Sequence, residues 1–217
     1  MAARSAAPFV PDRADLAALR RAARDCEGCD LHGPATQTVF GAGPEDARLL
    51  LVGEQPGDVE DRTGEPFVGP AGKLLDKALA EAGLGRTGVY LTNAVKHFKF
   101  QERGKRRIHK APARGEIRAC LPWLHAELAA VRPELVVCLG ATAAKALLGD
   151  AFRVSEQRGE LVEVDGLGVI ATVHPSAVLR APDRAAAYEG FVADLRVVRE
   201  HLPADAARTG RDVKAAP

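Results

Sequence analysis

This 217-residue chain has no long hydrophobic run, few cysteines and almost no net charge. No stretch reaches the ~18 consecutive apolar residues of a membrane-spanning helix, so no such span is expected. Residues 1–10 are Ala-rich and lack a continuous apolar core. No secretory signal is therefore expected, and the chain reads as cytoplasmic. Four cysteines in a chain of this size argue against a disulfide framework; metal ligation or plain burial suits them better. There is no internal repeat and no long low-complexity segment. What the chain does have is 47% hydrophobic residues, enough for one globular domain over residues 1–202. The short polar segment 203–217 reads as a frayed tail. Nothing in the composition demands an oligomer, so a monomer is expected.

The small total charge hides an uneven distribution. Between Lys96 and Arg118 nine Lys or Arg stand against two acids, a local balance of +7. The net charge of the whole chain is +1, so the remainder carries −6. A basic patch on an acidic body suits a polyanion such as DNA better than a membrane surface. Its centre is Gly104-Lys105-Arg106-Arg107-Ile108-His109-Lys110. Lys105, Arg106 and Arg107 are candidate phosphate contacts, although a solvated surface loop has the same composition. A histidine among cations suggests a loop drawn onto a nucleic acid that then does chemistry there.

The apolar patterning predicts a sheet with helices on both faces. Asp12 can cap a first helix running to about Asp25. Arg48 to Val52 reads as a buried strand ending at Gly53, followed by a long Gly-, Pro- and acid-rich loop to Gly69. Pro70 suits the first turn of a helix through Glu81, closed by Gly83. Val89 to Leu91 is a second strand, followed by the basic loop and a long helix from Ala113 to Val131. Glu134 to Leu139 is a third strand, and Thr142 to Leu148 a short helix. Residues 160–164 and 169–173 form a last strand pair, and a terminal helix covers 183–201. Strands alternating with helices point to an α/β fold with a largely parallel sheet. Glu54, Asn93 and His174 each follow a strand. Ligands of open α/β sheets bind outside the carboxyl ends of the strands, so these three residues are expected to converge.

Several segments together resemble the uracil-DNA glycosylase superfamily, specifically its iron–sulfur branch. Gly53-Glu54-Gln55-Pro56-Gly57 is similar to the first motif of that branch and His174-Pro175-Ser176 to its second. Gly64-Glu65-Pro66-Phe67-Val68-Gly69-Pro70-Ala71-Gly72 resembles the loop that supplies an aromatic platform for uracil. Leu139-Gly140-Ala141-Thr142-Ala143-Ala144 resembles a further segment. The likeness runs from about Cys26 to His201 and implies a three-layer α/β/α fold. Gln55 and the Lys105-Arg106-Arg107-Ile108-His109 run further resemble the X class (UdgX-type). Its members excise uracil and become covalently trapped on DNA through the loop histidine.

Cys26-x-x-Cys29 could by spacing ligate zinc or an iron–sulfur cluster. Cys138 lies inside an apolar strand and reads as a small buried hydrophobe. The resemblance implies a 4Fe–4S cluster, with ligands matching Cys26, Cys29 and Cys120. The remaining ligand position, a Cys preceded by Lys in the family, reads Lys96-His97 here, so His97 stands in for the thiol.

The resemblance also implies roles in the reaction. Phe67 stacks on a flipped uracil, Asn93 pairs with its edge, and Gln55 contacts the base; Asp58 orders the same loop. His174 hydrogen-bonds the uracil oxygen as charge develops on it. His109 attacks the sugar carbon. Glu54 either orients and deprotonates His109 or stabilises the cationic sugar. The expected partner is uracil-containing DNA, single- or double-stranded. Two other readings stand beside this one: an ordinary multiple-turnover glycosylase, and a non-catalytic uracil-DNA sensor or metal-containing nucleic-acid module.

Overall fold

The structure, a computed structural model, describes residues 4–202, so the polar tail expected after Leu202 lies outside the described residues. The strands are β1 Leu49–Gly53, β2 Val89–Asn93, β3 Phe100–Arg103, β4 Arg106–His109, β5 Leu135–Leu139, β6 Leu161–Val164 and β7 Leu167–Thr172. The helices are α1 Leu16–Ala23, α2 Asp58–Thr63, α3 Pro70–Glu81, α4 Arg114–Val131, α5 Ala141–Leu148, α6 Val154–Gln157, α7 Pro175–Arg180 and α8 Arg184–His201.

Five strands form one sheet in the order β2-β1-β5-β7-β6, parallel except for the antiparallel β6–β7 pair. The central strands read as continuous apolar runs because both of their faces are covered. Successive side chains alternate between two cores. Leu50, Val52, Val136 and Cys138 pack toward α1, α4 and α5. Leu49, Leu51, Val137 and Leu139 pack toward α3, α7 and α8. The result is the three-layer α/β/α arrangement. Among the described residues, no helix is long and apolar enough to cross a membrane.

Strand order places the site. From β1 the chain moves outward to β2, then returns to place β5 on the other side of β1. The segments leaving β1 and β5 therefore diverge and open a crevice between them, the usual ligand position in such sheets.

Three local expectations change. The first helix is capped by Asp15 rather than Asp12, its carboxylate accepting from the Ala18 N–H at 2.7 Å. The loop expected over 54–69 contains α2, whose C-cap Gly64 is left-handed at φ 80°. The basic segment is an antiparallel hairpin, β3–β4, turning through Gly104 at φ 59°. A positive φ at that turn is what glycine tolerates best.

Candidate active site

A cavity of about 550 Å³ opens at the carboxyl edge of the sheet. Glu54, Gln55 and Asp58 line it after β1, Asn93 at the end of β2, His109 from β4, Gly140 and Thr142 after β5, and His174 after β7. Phe67 and Arg180 complete the wall. The convergence expected from strand ends is thus present, and the hairpin adds His109 to it.

The floor is built by close approach. A Cβ on Gly53 would lie 2.3 Å from Asn93 Oδ1 and 2.6 Å from Phe67 Cζ, so only glycine lets β1 pass beneath these two side chains. Phe67 has φ 58°, uncommon for a bulky residue and costly unless its surroundings enforce it. Glu60 is one such constraint, accepting from the Gly57 N–H at 3.0 Å and the Gly69 N–H at 2.8 Å and so closing the loop on itself. The Phe67 ring lies 6.4 Å from the His174 imidazole at 28°. Behind Asn93, buried Lys96 donates from Nζ to the Asn93 carbonyl at 2.8 Å and pairs with buried Glu127. Glu127 also accepts from the Tyr90 hydroxyl and the Gly41 N–H, both at 3.0 Å. This buried pair is well satisfied and holds the end of β2 in place.

The tautomers of both histidines follow from their partners. His174 Nδ1 accepts from the Ser176 N–H at 3.1 Å, so the ring proton sits on Nε2. Burial pushes the His174 pKa down to about 4, with His109 and Arg180 adding to the effect. His174 is therefore a neutral Nε2–H donor at ordinary pH. At the other histidine, Gln55 Oε1 accepts from the Lys99 N–H at 3.1 Å. That fixes the Gln55 amide nitrogen as the group facing the carbonyls of Lys99 (3.2 Å) and Lys110 (2.9 Å) and His109 Nε2 (2.9 Å). An amide nitrogen only donates, and its two hydrogens are shared among these three neighbours; the His109 tautomer that pairs with it is the one with a lone pair on Nε2. Burial also lowers the His109 pKa, with Arg180 acting in the same direction and Glu54 opposing it. Glu54 Oε1 lies 3.4 Å from that Nε2, and the Thr142 hydroxyl donates to Glu54 Oε2.

Gln55 lines the cavity, but its side-chain amide is engaged by the hairpin. Its amide ties the foot of the hairpin to the end of β1. Arg107 departs from the expected phosphate contact. It turns inward, donating to Asp58 Oδ1 at 2.5 Å and to Asp61 Oδ2 at 2.6 Å, with its side chain only 12% exposed. Its guanidinium also lies 4.9 Å from the Phe100 ring centroid. Asp58 is engaged by Arg107 and Arg62 rather than free to reach a base. Lys105 and Arg106 remain exposed, as a phosphate-facing pair requires. Thr142 and Ser176 lie inside the quoted family-like segments without a role of their own, and Arg180 lies outside them; the strand-end rule, applied to β5 and β7, points to all three.

These segments coincide with a recognised family. The model of the Uracil DNA glycosylase superfamily matches residues 40–196. The chain belongs to the uracil-DNA glycosylase superfamily. It is 41% identical over 172 residues to a type-4 uracil-DNA glycosylase of Archaeoglobus fulgidus, spanning 76% of this chain and 83% of that one. It is 39% identical over 159 residues to the type-4 uracil-DNA glycosylase of Thermotoga maritima, spanning 72% and 79%.

The cysteines of this family member lie away from the cavity. Cys26, Cys29 and Cys120 are buried within one core cluster. Burial pushes Cys29 up and Cys120 to about 12, and nearby Cys26 raises both. Trp123 Nε1 donates to Cys26 Sγ at 3.1 Å, and the Lys96 N–H donates to Cys120 Sγ at 3.3 Å. The second bond puts the backbone next to His97 against that thiol. His97 is buried; its Nε2 bonds the Thr38 hydroxyl at 2.8 Å, whereas its Nδ1 is buried without a partner. Among the described residues, no three His, Cys, Asp or Glu are close enough to grip a single metal ion. A polynuclear cluster spreads its ligands around its own body, and the chemistry of three buried thiols and one unpartnered buried imidazole nitrogen fits such a group. Cys138 lies in the same core, fully buried in β5 as its apolar neighbours implied.

Proposed function

We propose that this chain excises uracil from DNA and is then captured on the DNA through His109. The observation that carries this reading is the position of His109 Nε2 in the lining of the cavity, 3.4 Å from Glu54 and sharing that cavity with His174. Lys105 and Arg106 hold phosphates while the base leaves the stack and enters the cavity. Phe67 stacks on the base and Asn93 pairs with its edge. The glycosidic C–N bond breaks with its electrons going to uracil, and the His174 Nε2–H stabilises that charge. Glu54 faces the cationic sugar. His109 Nε2 gives up its bond to Gln55, forms the new bond to the sugar carbon and becomes cationic; loss of the Nδ1 proton to solvent restores neutrality. The names of the relatives favour a second reading, an ordinary glycosylase in which water takes the place of His109.

A 4Fe–4S cluster would be held by Cys26, Cys29, Cys120 and His97, with Nδ1 the imidazole atom left free to bind it. When bound, it would tie the segment after α1 to the segment after β2 and to α4; no step of the reaction needs it. Purified protein should be brown, with broad absorbance near ~400 nm. Cys138→Ala should keep its iron and Cys120→Ala should lose it. Colourless protein with stoichiometric zinc would contradict the assignment.

Incubation with a uracil-containing oligonucleotide followed by a denaturing gel tests the function. A band resistant to heat and denaturant supports capture. Abasic DNA produced over many turnovers supports hydrolysis, and retention on native gels alone supports a sensor.

A further inference from the structure

We infer that Thr142 is a positioning residue for Glu54, and that their bond commits Glu54 to stabilising positive charge rather than taking a proton from His109. The inference rests on the glycosylase reading. Glu54 leaves β1 and Thr142 opens α5 after β5, so the two meet across the crevice although they lie 88 residues apart. The Thr142 hydroxyl donates to Glu54 Oε2. Thr142 is β-branched and set in a helix, so its hydroxyl has few positions to adopt, whereas a glutamate alone samples many. Holding one carboxylate oxygen fixes where the other points, and Oε1 then lies 3.4 Å from His109 Nε2.

That Nε2 faces the Gln55 amide nitrogen at 2.9 Å, and the tautomer that pairs with a donor there has no Nε2 proton for Glu54 to remove. In the free protein the Glu54 oxygen lies beside that Nε2, whose lone pair is held by Gln55. A cationic sugar carbon arriving there is attracted by both. The carboxylate therefore acts most strongly when positive charge is greatest, at the transition state. The sequence offers no substitute for the hydroxyl nearby, because Thr142 is flanked by Gly140, Ala141, Ala143 and Ala144.

The test is single-turnover uracil release by the full chain from an oligonucleotide carrying one uracil. Thr142→Val should slow release by on the order of tenfold to a hundredfold, the usual consequence of a misplaced catalytic group. DNA affinity and melting temperature should be unchanged. Thr142→Ser, which restores the hydroxyl, should recover the rate to within a few fold. Thr142→Val combined with Glu54→Gln should be no slower than Glu54→Gln alone, since the threonine acts only through the carboxylate. If Thr142→Val melts early, Thr142→Ala takes its place in the same comparisons. A wild-type rate in Thr142→Val, or effects that multiply in the double variant, overturns the inference. Release is measured whether or not an adduct forms, so failure of the capture mechanism leaves the test intact. A wild type that releases no uracil overturns the glycosylase reading and this inference with it.

Discussion

Glu54, Asn93 and His174 follow or end strands of the five-stranded sheet, whose β1 and β2 are buried along their whole length. His109 instead ends a two-stranded hairpin whose residues are mostly exposed. The first group is held by two packed cores. The second is fastened to the body by Gln55 at its foot and by Arg107 against Asp58 and Asp61. Groups proposed to break the glycosidic bond thus stand on the rigid scaffold, and the group proposed to capture the sugar stands on an appendage. A hairpin of this kind can be altered without dismantling the pocket, so breaking and capture should be separable by mutation.

The largest effect should come from the sheet edge. His174→Ala removes the donor for the leaving uracil, and release should fall by about 10²- to 10³-fold, as when an oxyanion donor is removed. Adduct should fall with it, because capture follows bond breaking. Adduct that persists while release collapses would show that the two regions are coupled differently.

Arg107→Met attacks the fastening of the hairpin. It leaves Asp61, fully buried, without its cation, and should cost roughly 2–4 kcal/mol of stability in a denaturant melt. Adduct yield should drop more than uracil release, since only the hairpin is loosened. Equal losses in both would place Arg107 in the general scaffold.

The smallest effect should come from the exposed tip. Lys105→Ala with Arg106→Ala should weaken DNA capture mainly at moderate salt. It should flatten the slope of log affinity against log salt by about 1.8, the value for two phosphates on duplex DNA. An unchanged slope would mean that neither residue meets a phosphate.

The contrast between sheet and hairpin also marks what could be read from the sequence. The strands around Leu49–Gly53 and Leu135–Leu139 declare themselves because burial on both faces requires continuous apolar runs. The helix Pro70–Glu81 declares itself by its first-turn proline and terminal glycine. The strand-end rule then brings Glu54, Asn93 and His174 together with no further information. The hairpin has the sequence of a loop because Arg106-Arg107-Ile108-His109 has no apolar alternation; its strands are held by Gln55 and Arg107 rather than by a buried face. Charge composition showed that a basic patch exists, but not that Arg107 would turn toward two aspartates 46 and 49 residues away. The bond from Thr142 to Glu54 depends on strand order, which no local pattern encodes. His97 was identified by its position in a motif; the structure adds that its Nδ1 is the atom left without a partner.

The separation of breaking from capture is tested most directly by His109→Ala on a uracil-containing oligonucleotide, with released uracil and denaturant-stable adduct measured in the same sample beside the wild type. The variant should release uracil and form no adduct, with water admitted to the vacated space completing hydrolysis. A covalent band from His109→Ala would place the nucleophile elsewhere. Loss of both release and adduct in a folded, DNA-binding variant would contradict the division of roles between sheet and hairpin.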